Sequence, residues 1–245
     1  MKVCIGIICI GEQYLRDFEE TFKPSIVNYA AKYGYDLKVI TDFLDKNHTH
    51  PDSISFHKCL VPQLLSEYDV VAVMDADIWL SELAPSLPDC EHIGIVDEVA
   101  QQTKEQYDSI PWTAPPHEYY SLAGLSIDTD KVLNTGFMIC SPSRHAKILS
   151  DIYSKYIEAS EGHPRKFHYE QACIGYELQI QKKFQLISNN WNSVHVGYKA
   201  LNIPIPKDIY GLHFAGYNNH TRKIELSAYL GTQLPKRGLR WGIRK

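Results

Sequence analysis

The sequence predicts one α/β domain whose mostly parallel central sheet carries helices on both faces. Three observations lead there. Short apolar runs rich in β-branched residues alternate with stretches of helical period, which is how strands joined by crossover helices read. The strongest runs, "KVCIGIICI" (Lys2–Ile10), "DVVAVMDAD" (Asp69–Asp77) and "VLNTGFMIC" (Val132–Cys140), are apolar without alternation, as strands buried on both faces are. No stretch repeats and none is of low complexity, which sets aside solenoids and disordered arrays.

The elements follow in order. "KVCIGIICI" is the first strand, and Gly11 ends it. From Glu12 to Lys32 the apolar positions Leu15, Phe18, Phe22, Ile26 and Tyr29 keep a helical period, with Pro24 as a break or a second start. Gly34 closes that helix and "DLKVITD" forms the second strand. Asp45 to Asp52 reads as a polar loop, and "HKCLVPQLLSEY" (His57–Tyr68) as helical after Pro62, a residue suited to a first helical turn. "DVVAVMDAD" is the third strand and "HIGIVDE" (His92–Glu98) the fourth. Gln101 to Asp130 has no clean period and holds Pro111, Pro115, Pro116 and several aromatics; so long an irregular insert is commonly functional. "VLNTGFMIC" is the fifth strand. Helices over about Arg144–Glu158 and over "HYEQACIGYELQI" (His168–Ile180) come next, then short late strands in "FQLIS" and "IYGLHFA".

The totals narrow the function. The 245 residues, 44% hydrophobic and 22% charged, can bury a sizeable core. A formal net charge of -4 gives no global basic field to recruit nucleic acid. The six cysteines are scattered with no CxxC pair, a pattern of buried reduced thiols rather than of disulfides or a zinc site. The apolar opening "MKVCIGIICIG" is too short to span a bilayer and no signal-type cleavage region follows it. A cytoplasmic setting is therefore expected. The last residues, 232–245, carry Lys236, Arg237, Arg240, Arg244 and Lys245 and no acid; either they are a solvated tail or they touch an anionic membrane peripherally.

The third strand ends in an unusual way, with Asp75 and Asp77 one residue apart after five apolar positions. Residues i and i+2 of a strand share a direction, so the two carboxylates converge. Bare carboxylates at close range repel, and an unpaired buried charge is costly. A divalent cation relieves both; magnesium and manganese take carboxylate, phosphate and water oxygens. Ligands of open α/β sheets gather at the carboxyl ends of strands, where this pair sits. A solvated turn bearing two acids is the plainer alternative, and a D-x-D pattern alone does not decide between them.

Several quoted stretches together resemble a known group. The strand ending in "MDADIWL" resembles the D-x-D motif of GT-A fold glycosyltransferases. "LNTGFMI" resembles the strand with an Asn/Ser-Gly pair in the retaining families related to glycogenin and the bacterial lipooligosaccharide galactosyltransferases. "YEQACIG" resembles their Asp-Gln helix start, and "GLHFAG" their late His-x-x-Gly motif. "HKCLVPQLL" resembles the Lys/Arg-bearing helix of the fungal and plant α-galactosyl, mannosyl and xylosyl transferases. The marks occur in the family's order from Met1 to about His220.

The resemblance implies a GT-A domain over residues 1–231, with a nucleotide-binding half over about 1–98 and an acceptor-binding half after it. It implies Mn2+ or Mg2+ on Asp75, Asp77 and His213, where a core histidine is the plainer reading of the last. It places the nucleotide base near Tyr14, the donor sugar near Lys58, Asn134 and Gly136, and the diphosphate near Gly216. The family's lysine beyond that glycine is Asn219 here, so His220, Arg222 or Lys223 would neutralise the diphosphate instead. Gln171 falls where the family has an amide on the β-face of the reacting carbon, and Glu170 is its neighbouring acid. Asp97, at the end of the fourth strand, either holds an acceptor hydroxyl or caps a loop. Trp191 packs, while Asn190 and Asn192 reach the sugar. The aromatic insert around Trp112–Leu125, including Tyr119 and Tyr120, would line the acceptor pocket or pack on the core.

The implied reaction moves a sugar from a UDP-sugar to a hydroxyl of a glycan or glycolipid with retention. An inverting enzyme would need a carboxylate base, for which Glu170 and Asp97 are available. A sugar-phosphate nucleotidyltransferase would show a Gly-rich, basic loop after the first strand, which "CIGEQYLRD" lacks. A haloacid-dehalogenase phosphatase needs Thr or Val where Trp79 stands. A non-catalytic nucleotide-sugar-binding scaffold stays open at this stage.

Overall fold

A computed structural model describes residues 1–231 of the chain, apart from the Phe167 side chain; the basic segment 232–245 lies outside the described residues. The chain divides into two compact units, Met1–Ala215 and a second that starts at Gly216.

The first unit has the expected architecture. Its strands are β1 (Val3–Ile8), β2 (Asp36–Ile40), β3 (Val70–Asp75), β4 (Ile78–Leu80), β5 (Ile93–Asp97), β6 (Leu133–Cys140), β7 (Phe184–Leu186), β8 (Ser193–Val194) and β9 (Gly211–His213). Six of them form one sheet in the order β2-β1-β3-β6-β5-β7. The β1–β2, β1–β3 and β5–β7 pairs are parallel, and β6 runs antiparallel to both its neighbours. A small second sheet has the order β4-β9-β8.

Alternation along the strands explains why the sheet is apolar on both sides. Cys4, Val71, Val73, Met138 and Cys140 face one core, shared with Leu149, Ile152, Tyr153 and Ile174. Their neighbours Ile5, Ile7, Ala72, Met74, Phe137 and Ile139 are just as buried and point the other way. There Phe137 stacks on Trp191 at 5.2 Å and Tyr29 meets the same indole edge-on at 6.0 Å. All six cysteines are buried free thiols.

The long helical stretch resolves into α1 (Glu12–Thr21) and α2 (Lys23–Tyr33), with Pro24 in the first turn of α2, where its missing N–H has no intrahelical partner to lose. Two segments depart from the sequence reading. The expected loop yields at Pro51 to a 3-10 helix, Pro51–Leu60, that runs into the one-turn α3 (Val61–Leu64). The His50 ring accepts the Asp52 amide and caps its start. The irregular insert contains α4 (Lys104–Ser109) and α5 (Pro116–Ser121). Thr103 and Gln106 form a reciprocal capping box at α4, a start signal written in the sequence as T-x-x-Q.

Two long helices, α6 (Pro142–Ser160) and α7 (Phe167–Ile180), cover one face together with the 3-10 segment, and α8 (His195–Ala200) follows β8. The second unit contains α9 (Asn219–Tyr229), whose N-terminus is capped by the Asn218 side chain accepting from the Thr221 amide. Among the described residues no helix is long and apolar enough to cross a membrane.

The second sheet depends on a close backbone approach. A Cβ at Gly211 would lie 2.3 Å from the Trp191 carbonyl oxygen and 3.3 Å from Ile78 Cγ2. Gly211→Ala should therefore cost about 1–3 kcal/mol, a melting temperature lower by about 2–4 °C per kcal/mol. Calorimetry checks this, and an unchanged melting temperature would contradict it.

Candidate functional site

Asp75 is the last residue of β3, opposite Ile8 of β1. The chain turns through Ala76 and Asp77 into β4, which pairs antiparallel with β9 and sets Ile78 opposite His213. The Phe214 amide donates to the Asp77 carbonyl at 3.0 Å and pins the turn against the late strand. The result is a cluster in which one ligand atom each from Asp75, Asp77 and His213 lie within 4.8 Å of one another. His213 Nε2 is 3.2 Å from Asp77 Oδ1 and 3.8 Å from Asp75 Oδ2. Asp77 and His213 are only 5% and 4% exposed, whereas the Asp75 side chain is 33% exposed and opens the cluster to solvent.

Burial opposes a charged His213 ring, but Asp77, by charge and hydrogen bond, and then Asp75 outweigh it and hold its pKa above the ordinary histidine value. Two carboxylate oxygens and an imidazole nitrogen at this spacing form a donor set that could hold a metal ion. The like charges of the aspartates give the cluster a reason to hold a cation.

Lys58, on the 3-10 helix, is buried behind this cluster. Its Nζ donates to Asp75 Oδ1 at 2.8 Å and to the Thr135 carbonyl at 3.3 Å, and lies 3.6 Å from Glu170 Oε2. Burial alone would lower its pKa, but Asp75 and Glu170 raise it well above the usual lysine value. Glu170, in the first turn of α7, is pushed up to about 7 by burial, with Lys58 opposing and Asp75 adding to the rise. Among the described residues its Oε1 is buried without a hydrogen-bond partner.

The β5–β6 pairing is broken by a bulge: Ile95 faces Met138 but Val96 faces Asn134. Residues 135–137 are thereby released from that ladder, and such bulges redirect side chains. Gly136 sits in the bulge. A Cβ there would be 2.5 Å from His213 Cε1 and 2.8 Å from its Nδ1, so the space that the glycine leaves open is filled by the histidine ring. Asn134 Oδ1 accepts the Gly136 amide at 2.9 Å, and its Nδ2 donates to Glu98 Oε2 at 2.8 Å.

Gln171 follows Glu170 on α7. Its Nε2 donates to Glu98 Oε2 at 3.2 Å and to the Tyr119 hydroxyl at 3.0 Å. Asp97 is buried, and its Oδ1 accepts the Val99 and Val132 amides at 3.1 and 3.2 Å; this is the loop-capping geometry. Burial raises its pKa against those two amides. Tyr14 lies half-buried in the first turn of α1, just beyond the end of β1. Gly216 and Lys223 belong to the second unit.

Tyr119 and Tyr120 do not line an open pocket. Both are core residues, Tyr120 with no exposure at all, because α5 turns its aromatic face inward. Arg165 donates to the Tyr119 carbonyl and lies over its ring at 4.6 Å. Trp112 is the exposed aromatic of the insert. Asn192 is likewise fully buried, hydrogen-bonded to His213 and Asn134 rather than presented to a ligand, while Asn190 donates to the Asp208 carbonyl at 3.2 Å. Trp191 packs as expected.

Glu98 escaped the sequence reading, and Asn192, expected to reach the sugar, faces inward instead. Glu98 had a visible signal, since it adjoins Asp97 at a strand end. Alternation sends such neighbours opposite ways, and here the second of the pair reaches Asn134 and Gln171. Nothing local marks Asn192, whose partners are distant in sequence.

No protein-family model matches the chain, and no curated protein matches it in sequence. Solved structures do resemble it. One is a glycosyltransferase involved in the glycosylation of the major capsid of PBCV-1: 16% identical, covering 92% of this chain and 99% of that one, with a TM-score of 0.61. Another is the apo structure of the bifunctional glycosyltransferase WbbM: 15% identical, covering 93% of this chain and 49% of that one, with a TM-score of 0.55. At these identities the likeness is one of fold: the chain is folded as these glycosyltransferases are.

Proposed function

We propose that the chain is a metal-dependent glycosyltransferase of the GT-A kind, which moves a sugar from a nucleoside-diphosphate sugar, a UDP-sugar, to a hydroxyl of a glycan or glycolipid. The observation that carries this reading is the Asp75, Asp77 and His213 cluster, placed at the carboxyl end of β3. The fold shared with two glycosyltransferases supports it.

Asp75, Asp77 and His213 would hold Mn2+ or Mg2+. When bound, such an ion supplies Lewis-acid stabilisation of the charge on a departing diphosphate. The remaining work falls to the chain's own groups. Lys58 ties up Asp75 Oδ1, while Oδ2 is the atom facing His213. Gln171 spends its amide N–H groups on Glu98 and Tyr119, so its carbonyl oxygen is the end left for a sugar. An amide oxygen held in this way stabilises positive charge growing at an anomeric carbon. Retention is the stereochemistry we propose. Of the two carboxylates available as a base from the sequence, Glu170 is buried against Lys58 and Asp97 against backbone amides. Tyr14 is offered as the face for the nucleotide base.

Mn2+-dependent release of UDP from a UDP-sugar tests the reading. Asp77→Asn should lower kcat/KM on the order of a hundredfold or more, and chelation should abolish turnover until Mn2+ is restored. Pyrophosphate turnover would point to a nucleotidyltransferase, and binding without turnover to a scaffold. Proton NMR of fresh product should show the donor's anomeric configuration; the opposite configuration would refute retention.

The glycine beneath the histidine gives a second expectation. Gly136→Ala should displace the His213 ring and weaken Mn2+ binding by at least about tenfold in calorimetric titration. Unaltered affinity would show that the ring's position does not matter to the ion.

A further inference from the structure

We infer that Glu98, Asn134 and Asn192 form a polarised hydrogen-bond chain that holds the His213 ring with its proton on Nδ1 and its Nε2 turned toward the cation. This rests on the metal-site reading above and adds to it the residues that hold one of its ligands in place.

The direction of the chain follows from its two ends. A backbone amide can only donate, so the Asn134 atom 2.9 Å from the Gly136 nitrogen is its oxygen. An ionised carboxylate can only accept, so the Asn134 atom 2.8 Å from Glu98 Oε2 is its nitrogen. Asn134 is thus oriented twice over. Its oxygen also faces Asn192 at 2.7 Å, so the Asn192 atom there is Nδ2. The other end of that amide, Oδ1, lies 2.8 Å from His213 Nδ1. An oxygen at that distance requires a donor, and Nδ1 must carry a hydrogen. In a neutral ring the lone pair then lies on Nε2, the atom that faces Asp77 and Asp75.

The surroundings keep this arrangement. Asn192 is fully buried and Asn134 nearly so, so water does not offer either amide a substitute partner. A turned Asn192 would bring oxygen against oxygen at Asn134 and nitrogen against the ring N–H, losing two buried hydrogen bonds together. Gly136 leaves the room in which the ring lies. Gln171 shares the same Glu98 oxygen, so one carboxylate anchors both the histidine relay and the amide assigned to the sugar. Glu98 and Asn192 are positioning residues: they act through His213, as outer partners of a metal-ligating imidazole do.

Titration of Mn2+ into the full chain, together with 1H–15N spectra of histidine-labelled protein holding diamagnetic Zn2+, tests the chain. The wild type should show a downfield, slowly exchanging Nδ1–H resonance, identified by its loss in His213→Gln. Asn192→Leu should lose that protected resonance and bind Mn2+ about 10–100-fold more weakly. Glu98→Gln, three hydrogen bonds from the ring, should also weaken binding. If Asn192→Leu fails to fold, the Glu98→Gln titration and the wild-type spectrum still decide. Mn2+ uptake insensitive to both variants, or a wild-type ring without a protected Nδ1–H, overturns this inference alone. A wild-type chain that takes up no Mn2+ overturns the metal reading and this inference with it.

Discussion

Asp75, Asp77 and Glu170 put three carboxylates into one region, two of them almost sealed from solvent. Such a concentration of like charge is unstable unless cations are built in or bound. The protein builds in Lys58, wedged between Asp75 and Glu170, and His213, set against Asp77. Much of the surrounding architecture serves that compensation. The 3-10 helix carries Lys58 behind the sheet, the bulge in β6 clears room for the imidazole, and the second sheet brings His213 back to the end of β3. If His213 binds as a neutral ligand, a divalent ion makes the set of three acids, one lysine and one metal electrically balanced.

The division between scaffold and site follows the sheet. Strands β1, β3 and β6 are apolar on both faces and define where the carboxyl end of β3 lies. The polar network then spreads from that end along β6 to Asn134, and through Glu98 to Gln171 on α7. Each of these residues is held by at least one hydrogen bond to another, so the network is stiff without being apolar. Buried amides that are fully satisfied specify geometry in a way that packed aliphatics do not.

Much of the fold was legible because its signals are local. Continuous apolar runs gave β1, β3 and β6, and the paired acids at the end of β3 stood out against them. The aromatics Tyr119 and Tyr120 were harder: a tyrosine's chemistry suits either a sugar or a core, and the inward turn of α5 made them core residues. β4 and β8 are three and two residues long, too short for a period to show. Their existence depends on β9 passing between them. The orientation of Asn192 was illegible for a similar reason, since its role is defined by His213 and Asn134. The resemblance of short motifs supplied His213 as a candidate ligand, and β9 brings it to the aspartates.

The pairing of β4 with β9 joins the middle of the chain to a strand near the end of the first unit. During synthesis all six strands of the larger sheet emerge before Gly211 does, so a nascent chain can have its scaffold in place while the acidic cluster still lacks His213. Competence would then be conferred last, by a three-residue strand. An ion that engages acids and histidine together would act as a clasp on that closing segment, tying the retention of the late strand to the ionic composition of its surroundings.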